Sequence, residues 1–287
     1  MIECVPNFSE GRDRDKIQAI VDAIASVKGV LLLGWERDES HNRSVVTFAG
    51  PVEAVQEGAI RGAGKATELI NLSGHEGVHP RVGAADVIPF VPLAGSTMED
   101  CVAAAHRAGE EIWRRFGVPV YFYESAARIT ERQRLERVRR KAFDGRPPDI
   151  GDIDSHPTAG ASMVGARGFL IAYNVLLETP DVSIAQRIAR RIRESSGGFR
   201  YVKAIGLYLA DRDCAQVSMN LTHFLETPIQ DVIRVIADEA SIKAFELIGF
   251  VPRQAYEVAP QFFEQAENFD PSRIIETRID QLRETAP

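Results

Sequence analysis

The sequence predicts an α/β protein of the α+β type, made of two similar halves, each a sheet covered by helices. Three observations carry this. Stretches with apolar residues at helical spacing alternate with short β-branched and aromatic runs. Glycine and proline mark the junctions between them. The order strand–helix–strand–strand–helix–strand occurs twice along the 287 residues, which is the split β-α-β pattern.

In the first half, residues 2–6 form a short strand. Residues 15–26 form a helix with Ile17, Ile20, Val21 and Ile24 on one face, ended by Gly29. Strands follow at 30–33 and 44–48. Pro51 opens a helix whose stripe is Val52, Val55, Ala59, Ala63, Ala66 and Ile70; its missing N–H costs nothing in a first turn. Residues 86–93 return as a strand. An extension follows. Ser96, Thr97, Met98 and Glu99 have capping-box spacing and open a helix to about residue 116. A strand is expected at 118–123, and a charged helix at 131–143.

The second half repeats the order. A strand at 169–176 leads to a helix capped by Thr179 and Pro180, with Ala185, Ile188, Ala189 and Ile192 apolar. Strands at 202–209 and 215–221 are joined through Asp211, Arg212 and Asp213. Thr227 and Pro228 cap the next helix, the last strand covers 247–251, and a C-terminal helix near 271–282 covers an edge. The boundary is drawn just after the 169–176 strand, giving subdomains 1–178 and 179–287. The expectation is two ferredoxin-like β-α-β-β-α-β subdomains with a ligand cleft between them, since pockets favour such junctions.

Composition narrows the function classes. A formal net charge of −7 argues against a nucleic-acid binder, which would carry a basic surface. No run approaches the ~18 apolar residues that a membrane span needs. The N-terminus shows no leader pattern. Cys4, Cys101 and Cys214 lie far apart, as in a reduced cytoplasmic protein.

The richest segment is H-E-G-V-H-P-R-V-G-A-A-D-V-I-P-F-V-P, residues 75–92. Its start matches the zinc-protease pattern H-E-x-x-H, a helical motif. Gly77 weakens a helix there and Pro80 pushes His79 out of the α region. The segment is therefore expected to be a polar loop feeding a strand, with His79 a candidate acid–base group or a histidine bonded to a backbone carbonyl. A zinc hydrolase using His75, Glu76 and His79 is the rival class; metal is not expected. Arg43 and Arg81 are candidates for clamping carboxylates, and His41 and Asn42 stand beside Arg43 in a dense polar turn. Residues 151–160 (Gly151, Asp152, Ile153, Asp154, Ser155, His156, Pro157, Thr158, Ala159 and Gly160) form a polar loop. Its glycines would let backbone approach a flat heterocycle, or it is a linker. The stretch 128–141 carries seven basic residues and is expected to be a solvated helix face that could also attract a polyanionic tail.

Five motifs in order, V-P-N-F-S-E-G-R at 5–12, H-N-R-S-V-V-T-F at 41–48, H-E-G-V-H-P-R-V-G-A-A-D-V-I-P-F at 75–90, V-P-V-Y-F-Y-E at 118–124 and V-G-A-R-G-F-L-I-A-Y-N-V at 164–175, resemble glutamate formimidoyltransferase. The resemblance runs over essentially the whole chain. It implies that tetrahydrofolate, as co-substrate, accepts the formimino group of N-formimidoyl-glutamate, in histidine degradation and one-carbon metabolism. It implies that His79 is the catalytic histidine and that residues 151–160 bind folate. The substrate's two carboxylates and the folate's glutamate tail then need cations, for which Arg43 and Arg81 are the candidates, with His41 and Asn42 also expected to bind substrate. In animals the domain is fused to a cyclodeaminase, which this chain is not expected to carry. A homodimer acting on small molecules is the expected assembly; a folate-binding protein without catalysis is the second rival.

Overall fold

The computed structural model describes residues 1–39, 41–77, 81–141, 146–152, 154 and 156–285. Contacts divide the chain into two compact units, Met1–Arg167 and Gly168–Pro287. The division falls ahead of the 178/179 boundary drawn from the sequence, because the strand at Ile171–Leu177 pairs with strands of the second sheet.

In the first unit, β1 (Ile2–Cys4) and β2 (Asn7–Phe8) are followed by α1 (Arg14–Ala25), β3 (Leu31–Asp38), β4 (Arg43–Gly50), α2 (Val52–Leu69) and β5 (Ala85–Pro92). β1 and β2 are interrupted at Val5 and Pro6 and lie end to end between β4 and β5, antiparallel to both. β3 pairs with the far side of β4. This is the β-α-β-β-α-β order read from the sequence. Asp13 caps α1 by accepting from the N–H groups of Asp15 and Lys16 at 3.1 and 3.2 Å, which supplies acceptors for donors that have no helical partner.

An extension adds α3 (Met98–Phe116), β6 (Val120–Glu124), α4 (Leu135–Lys141) and β7 (Ser162–Ala166). β7 runs parallel between β5 and β6. Residues 161–167 fall in none of the strands expected from the sequence; β7 is an interior strand, buried at every position. Strands buried on both faces show no alternation, and small residues such as Ser162 and Gly165 carry little strand signal. One face of the sheet packs on α1–α3. The other, near β5, β6 and β7, is closed by Leu135 and Val138 of α4 over Tyr121, Tyr123 and Met163. The capping box of α3 is Thr97 with Asp100, one position beyond the expected pair, and the Ser96 hydroxyl accepts from the N-terminal amine instead.

The second unit holds β8 (Ile171–Leu177), α5 (Val182–Ile192), β9 (Val202–Leu209), β10 (Cys214–Leu221), α6 (Ile229–Ala237) and β11 (Ile242–Ile248), then α7 (Arg253–Val258), α8 (Pro260–Glu264) and α9 (Ile275–Glu284). Its sheet is antiparallel in the order β11-β8-β10-β9, the same topology as the start of the first unit. Asp181, not Thr179, caps α5. Thr227 does not cap α6: its hydroxyl donates to the Arg200 carbonyl. The β11 edge is covered by the segment before α9. Asn268 donates to the Leu247 carbonyl and accepts from the Leu247 N–H, at 2.7 and 3.0 Å, so a side chain stands in for a strand and blunts the edge. No helix among the described residues is long and apolar enough to cross a membrane.

α5 lies directly on β9. A Cβ at Gly206 would stand 2.3 Å from the Gln186 nitrogen and 2.4 Å from the Ala185 carbonyl carbon. Backbone cannot swing aside as a side chain does, so Gly206→Val should cost about 1–3 kcal/mol or more. Urea unfolding measures this; an unmoved midpoint would show that α5 does not rest on β9 there.

Candidate active site

The first unit gathers four segments at one end of its sheet: the turn after β2, the β3–β4 hairpin, and the segments leading into β5 and β7. This follows from topology, because the first strand ends where the hairpin turns and the last strand begins. Hydrogen bonds join them. Ser9 donates its N–H to the Ala84 carbonyl and its hydroxyl to the Gly83 carbonyl, at 2.9 and 2.8 Å. Asn42 accepts from the Gly11 N–H at 2.9 Å and donates to the Glu76 carbonyl at 3.0 Å. It sits at φ 48°, a left-handed conformation that asparagine tolerates.

A buried carboxylate holds the other side of the loop. Asp86 has no exposed surface. Its Oδ1 accepts from the N–H groups of Val82 and Gly83 at 2.7 and 3.3 Å. Its Oδ2 accepts from Arg43 Nη1 at 2.8 Å and from Arg139 Nη2 at 2.7 Å. Burial alone would raise its pKa, but Arg43, Arg139 and the Val82 N–H outweigh burial and hold it below the usual carboxylate range. Arg43 Nε also donates to Asn7 Oδ1 at 3.1 Å. Burial draws the Arg43 pKa down, Asp86 opposes this, and Arg139 adds to the lowering.

His75 does not stand on a helix. It closes a short 3₁₀ turn, Leu72–Gly74, at φ −87°, ψ 127°. The first histidine of the zinc-protease pattern is thus extended, as Gly77 and Pro80 led us to expect. Both its ring nitrogens are buried and make no well-formed hydrogen bond among the described residues. Burial, then Arg81, lowers its pKa against the opposing carbonyls of Ser9 and Asn42, so the imidazole is neutral near neutral pH. Arg81 donates to the carbonyls of His75 and Gly77.

The candidate residues therefore divide. Arg43, Arg81, His41 and Asn42 come together with the loop before β5, each engaged within the protein. His41 pairs its Nδ1 with Asp38 at 3.0 Å, and the amide of Asn42 is used on two loops. His79 lies outside the described residues, as do Ile153 and Ser155. The residues on either side of 78–80 are fixed, through Glu76 by Asn42 and through Val82 and Gly83 by Asp86.

Residues 156–160 join the same assembly. The Leu72 N–H donates to the Thr158 carbonyl at 2.8 Å and the Ala84 N–H to the Ala159 carbonyl at 2.9 Å. Gly83 and Gly160 form a β-bridge. His156 Nδ1 accepts from the N–H groups of Thr158 and Ala159 at 3.4 and 3.1 Å, which puts the ring proton on Nε2. The glycines, however, face protein. A Cβ at Gly160, which has φ +68°, would meet the Val82 carbonyl oxygen at 2.1 Å, and one at Gly151 would meet the Trp113 ring at 2.7 Å. They let the chain pack on itself, so the expectation that they leave room for a heterocycle is revised for these two positions. Asp152 and Asp154 are exposed.

Asp86, Asn7 and Ser9 were given no role from the sequence, and Arg139 only a place in the basic stretch 128–141. A lone acid inside A-A-D-V-I-P-F was the available signal for Asp86, because a charge in an apolar strand needs a partner. Nothing local marked Arg139, which is separated from Asp86 by 53 residues. The cysteines are buried, and burial pushes the Cys101 thiol up to about 12, so it does not serve as a thiolate.

Two family models match the chain. The Formiminotransferase domain, N-terminal subdomain, matches residues 1–167, and the Formiminotransferase domain matches residues 172–282. A protein named glutamate formimidoyltransferase from Streptococcus pyogenes serotype M1 is 42% identical over 94% of this chain and 95% of its own length. One of the same name from Thermoplasma acidophilum is 41% identical over 98% and 97%. The formimidoyltransferase-cyclodeaminase of Gallus gallus is 41% identical over 93% of this chain but only 53% of its own length, so the match is confined to about half of that protein.

Asp86→Asn tests the buried ion cluster. It keeps the shape and leaves two buried cations without an anion, which should cost about 3–5 kcal/mol at pH 7. The folded pKa of Asp86 is depressed, so its contribution is present above the unfolded value of about 4 and is lost as pH falls through the folded value. The stability gap between wild type and variant should narrow below about pH 4. Denaturant titrations at pH 7 and pH 3 measure it; equal gaps would show that Asp86 is not the ionised anchor.

Proposed function

Because the chain belongs to the formiminotransferase family, we propose that it is a glutamate formimidoyltransferase, moving the formimino group of N-formimidoyl-L-glutamate to N5 of tetrahydrofolate. The products are 5-formimidoyltetrahydrofolate and glutamate. Similarity along nearly the whole chain to proteins named for this activity carries the conclusion. The small-molecule substrates, acting in histidine degradation, suit a protein whose buried cysteines need no oxidising compartment, and we place it in the cytoplasm.

The chemistry needs little from the protein beyond position and proton transfer. N5 of tetrahydrofolate attacks the formimino carbon and a tetrahedral intermediate forms. The bond from that carbon to the glutamate nitrogen then breaks. The attacking nitrogen loses a proton and the departing nitrogen gains one, so a single imidazole that takes the first and returns it balances the reaction. We assign that role to His79. What supports it is the family motif together with the anchoring of both flanks of residues 78–80. Arg43 and Arg81 would supply positive charge for the substrate's carboxylates. Asn42 serves the substrate through the loops it joins, and His41 through the turn it shares with Asp38. The folate is assigned to residues 151–160, of which Thr158, Ala159 and Gly160 are tied through their backbone to Leu72, Ala84 and Gly83 on either side of His79. Holding both substrates in one site lowers the barrier by about 7 kcal/mol. No step calls for a metal, and the extended His75 does not suit the helical protease motif.

The direct test is to mix the protein with tetrahydrofolate and N-formimidoyl-L-glutamate and follow 5-formimidoyltetrahydrofolate by absorbance. Folate binding without product would leave a binding protein in place of the enzyme. His79→Ala should lower turnover ~10²–10⁴-fold with little change in folate affinity; wild-type turnover would remove His79 from the mechanism. Dialysis against a strong chelator should leave the rate intact, whereas loss restored by zinc would favour the hydrolase-like site.

A further inference from the structure

The basic stretch at 128–141 does not behave as one solvated face. Arg128 lies over the Phe122 ring at 5.0 Å, and Arg132 pairs with Asp149 at 2.5 Å. Arg139 leaves the surface. It reaches from α4 to the start of β5 and meets the same oxygen of Asp86 that Arg43 meets. Charge and exposure there point the same way. Two guanidiniums share one carboxylate, which leaves one positive charge in excess. The Asp86 side chain is 0% exposed, Arg43 10% and Arg139 20%. The anion is therefore sealed inside, and what exposure the cluster has belongs to the two arginine side chains. The second Asp86 oxygen is taken by backbone N–H groups. The buried Nε–H of Arg139 has no acceptor among the described residues.

Excess buried cation is costly unless an anion completes it, and guanidinium is the side chain best matched to a carboxylate. Resting on the transferase activity proposed above, we propose that Arg139 and Arg43 together bind a carboxylate of the glutamyl donor, with Asp86 holding the two guanidiniums in register. Arg139 is then a substrate-binding residue contributed by the extension between β6 and β7. The folate's glutamate tail offers the same chemistry from another source, and the donor is favoured because Arg43 and Asp86 anchor the segment that carries His79, where the donor reacts.

The test is Arg139→Met in the full chain. A charge-assisted hydrogen bond is worth about 1.5–3 kcal/mol, so KM for N-formimidoyl-L-glutamate should rise ~10–100-fold. KM for tetrahydrofolate should stay within about twofold, far short of the rise expected from loss of that bond. Calorimetric titration with L-glutamate should show a matching loss of affinity without turnover. Arg139→Lys keeps a counter-ion for Asp86 but loses the planar fork, and should fall between the two; it also serves if the Met variant unfolds. Unchanged donor KM and glutamate affinity with a lowered melting temperature would make Arg139 a counter-ion only and overturn the proposal. A rise confined to the folate, larger with a polyglutamate tail, would assign the site to the folate and equally overturn it. If the wild type shows no transferase activity, the proposed function fails, while the glutamate titration still judges Arg139.

Discussion

The candidate site depends on one ionised carboxylate kept out of water. Taking Asp86 into the interior costs several kcal/mol even after relaxation, and the cost is offset only because four donors converge on it. Two are backbone N–H groups of the loop that leads into β5. The others are guanidiniums, one from β4 and one from α4. None of these contacts is close in sequence except the backbone pair, so Asp86 locks three distant parts of the first unit into one arrangement. Asn42 does the corresponding work on the other flank with neutral hydrogen bonds. Between them Glu76 on one side and Val82 and Gly83 on the other are each tied to the rest of the first unit.

The fold was largely legible because both halves use amphipathic elements. Ile17, Ile20, Val21 and Ile24 mark α1, and Ala185, Ile188, Ala189 and Ile192 mark α5, through helical spacing alone; all eight are buried. Legibility ended where that signal ends. β7 is buried on both faces and partly built of small residues, so neither alternation nor propensity announced it. The caps moved by one or two positions because Ser96, Thr97, Thr179 and Asp181 are all capable caps, and the choice among them belongs to backbone geometry. At the site, the loop character of 75–80 could be read from Gly77 and Pro80, which restrict the backbone locally. The ion cluster could not, because pairing across 53 residues leaves no local pattern.

The two units share a topology and differ in what is added to it. The second closes its free edge with the side chain of Asn268 and ends in short helices. The first extends its sheet by two parallel strands, and that extension contributes Arg139, the bridge at Gly160 and the cover from α4. The candidate residues thus lie where the repeated core meets material found in one copy only. The repeat supplies His41, Asn42, Arg43 and Arg81, and the addition supplies Arg139 and the bridge at Gly160.

The bridge between Gly83 and Gly160 bears on how the molecule comes into being. Contacts between segments far apart in the chain form slowly, because loop entropy must be lost before they give anything back. β1 to β5 with α1 and α2 make up a near-complete module by residue 92, at which point Asp86 has Arg43 but neither Arg139 nor the strand that seals it. During synthesis a chain of that length would hold Asp86 with one of its two guanidiniums, and β5 as an open edge. A chain ending at β5 would therefore lack Arg139, β7 and the Gly83–Gly160 bridge, and its site would be incomplete.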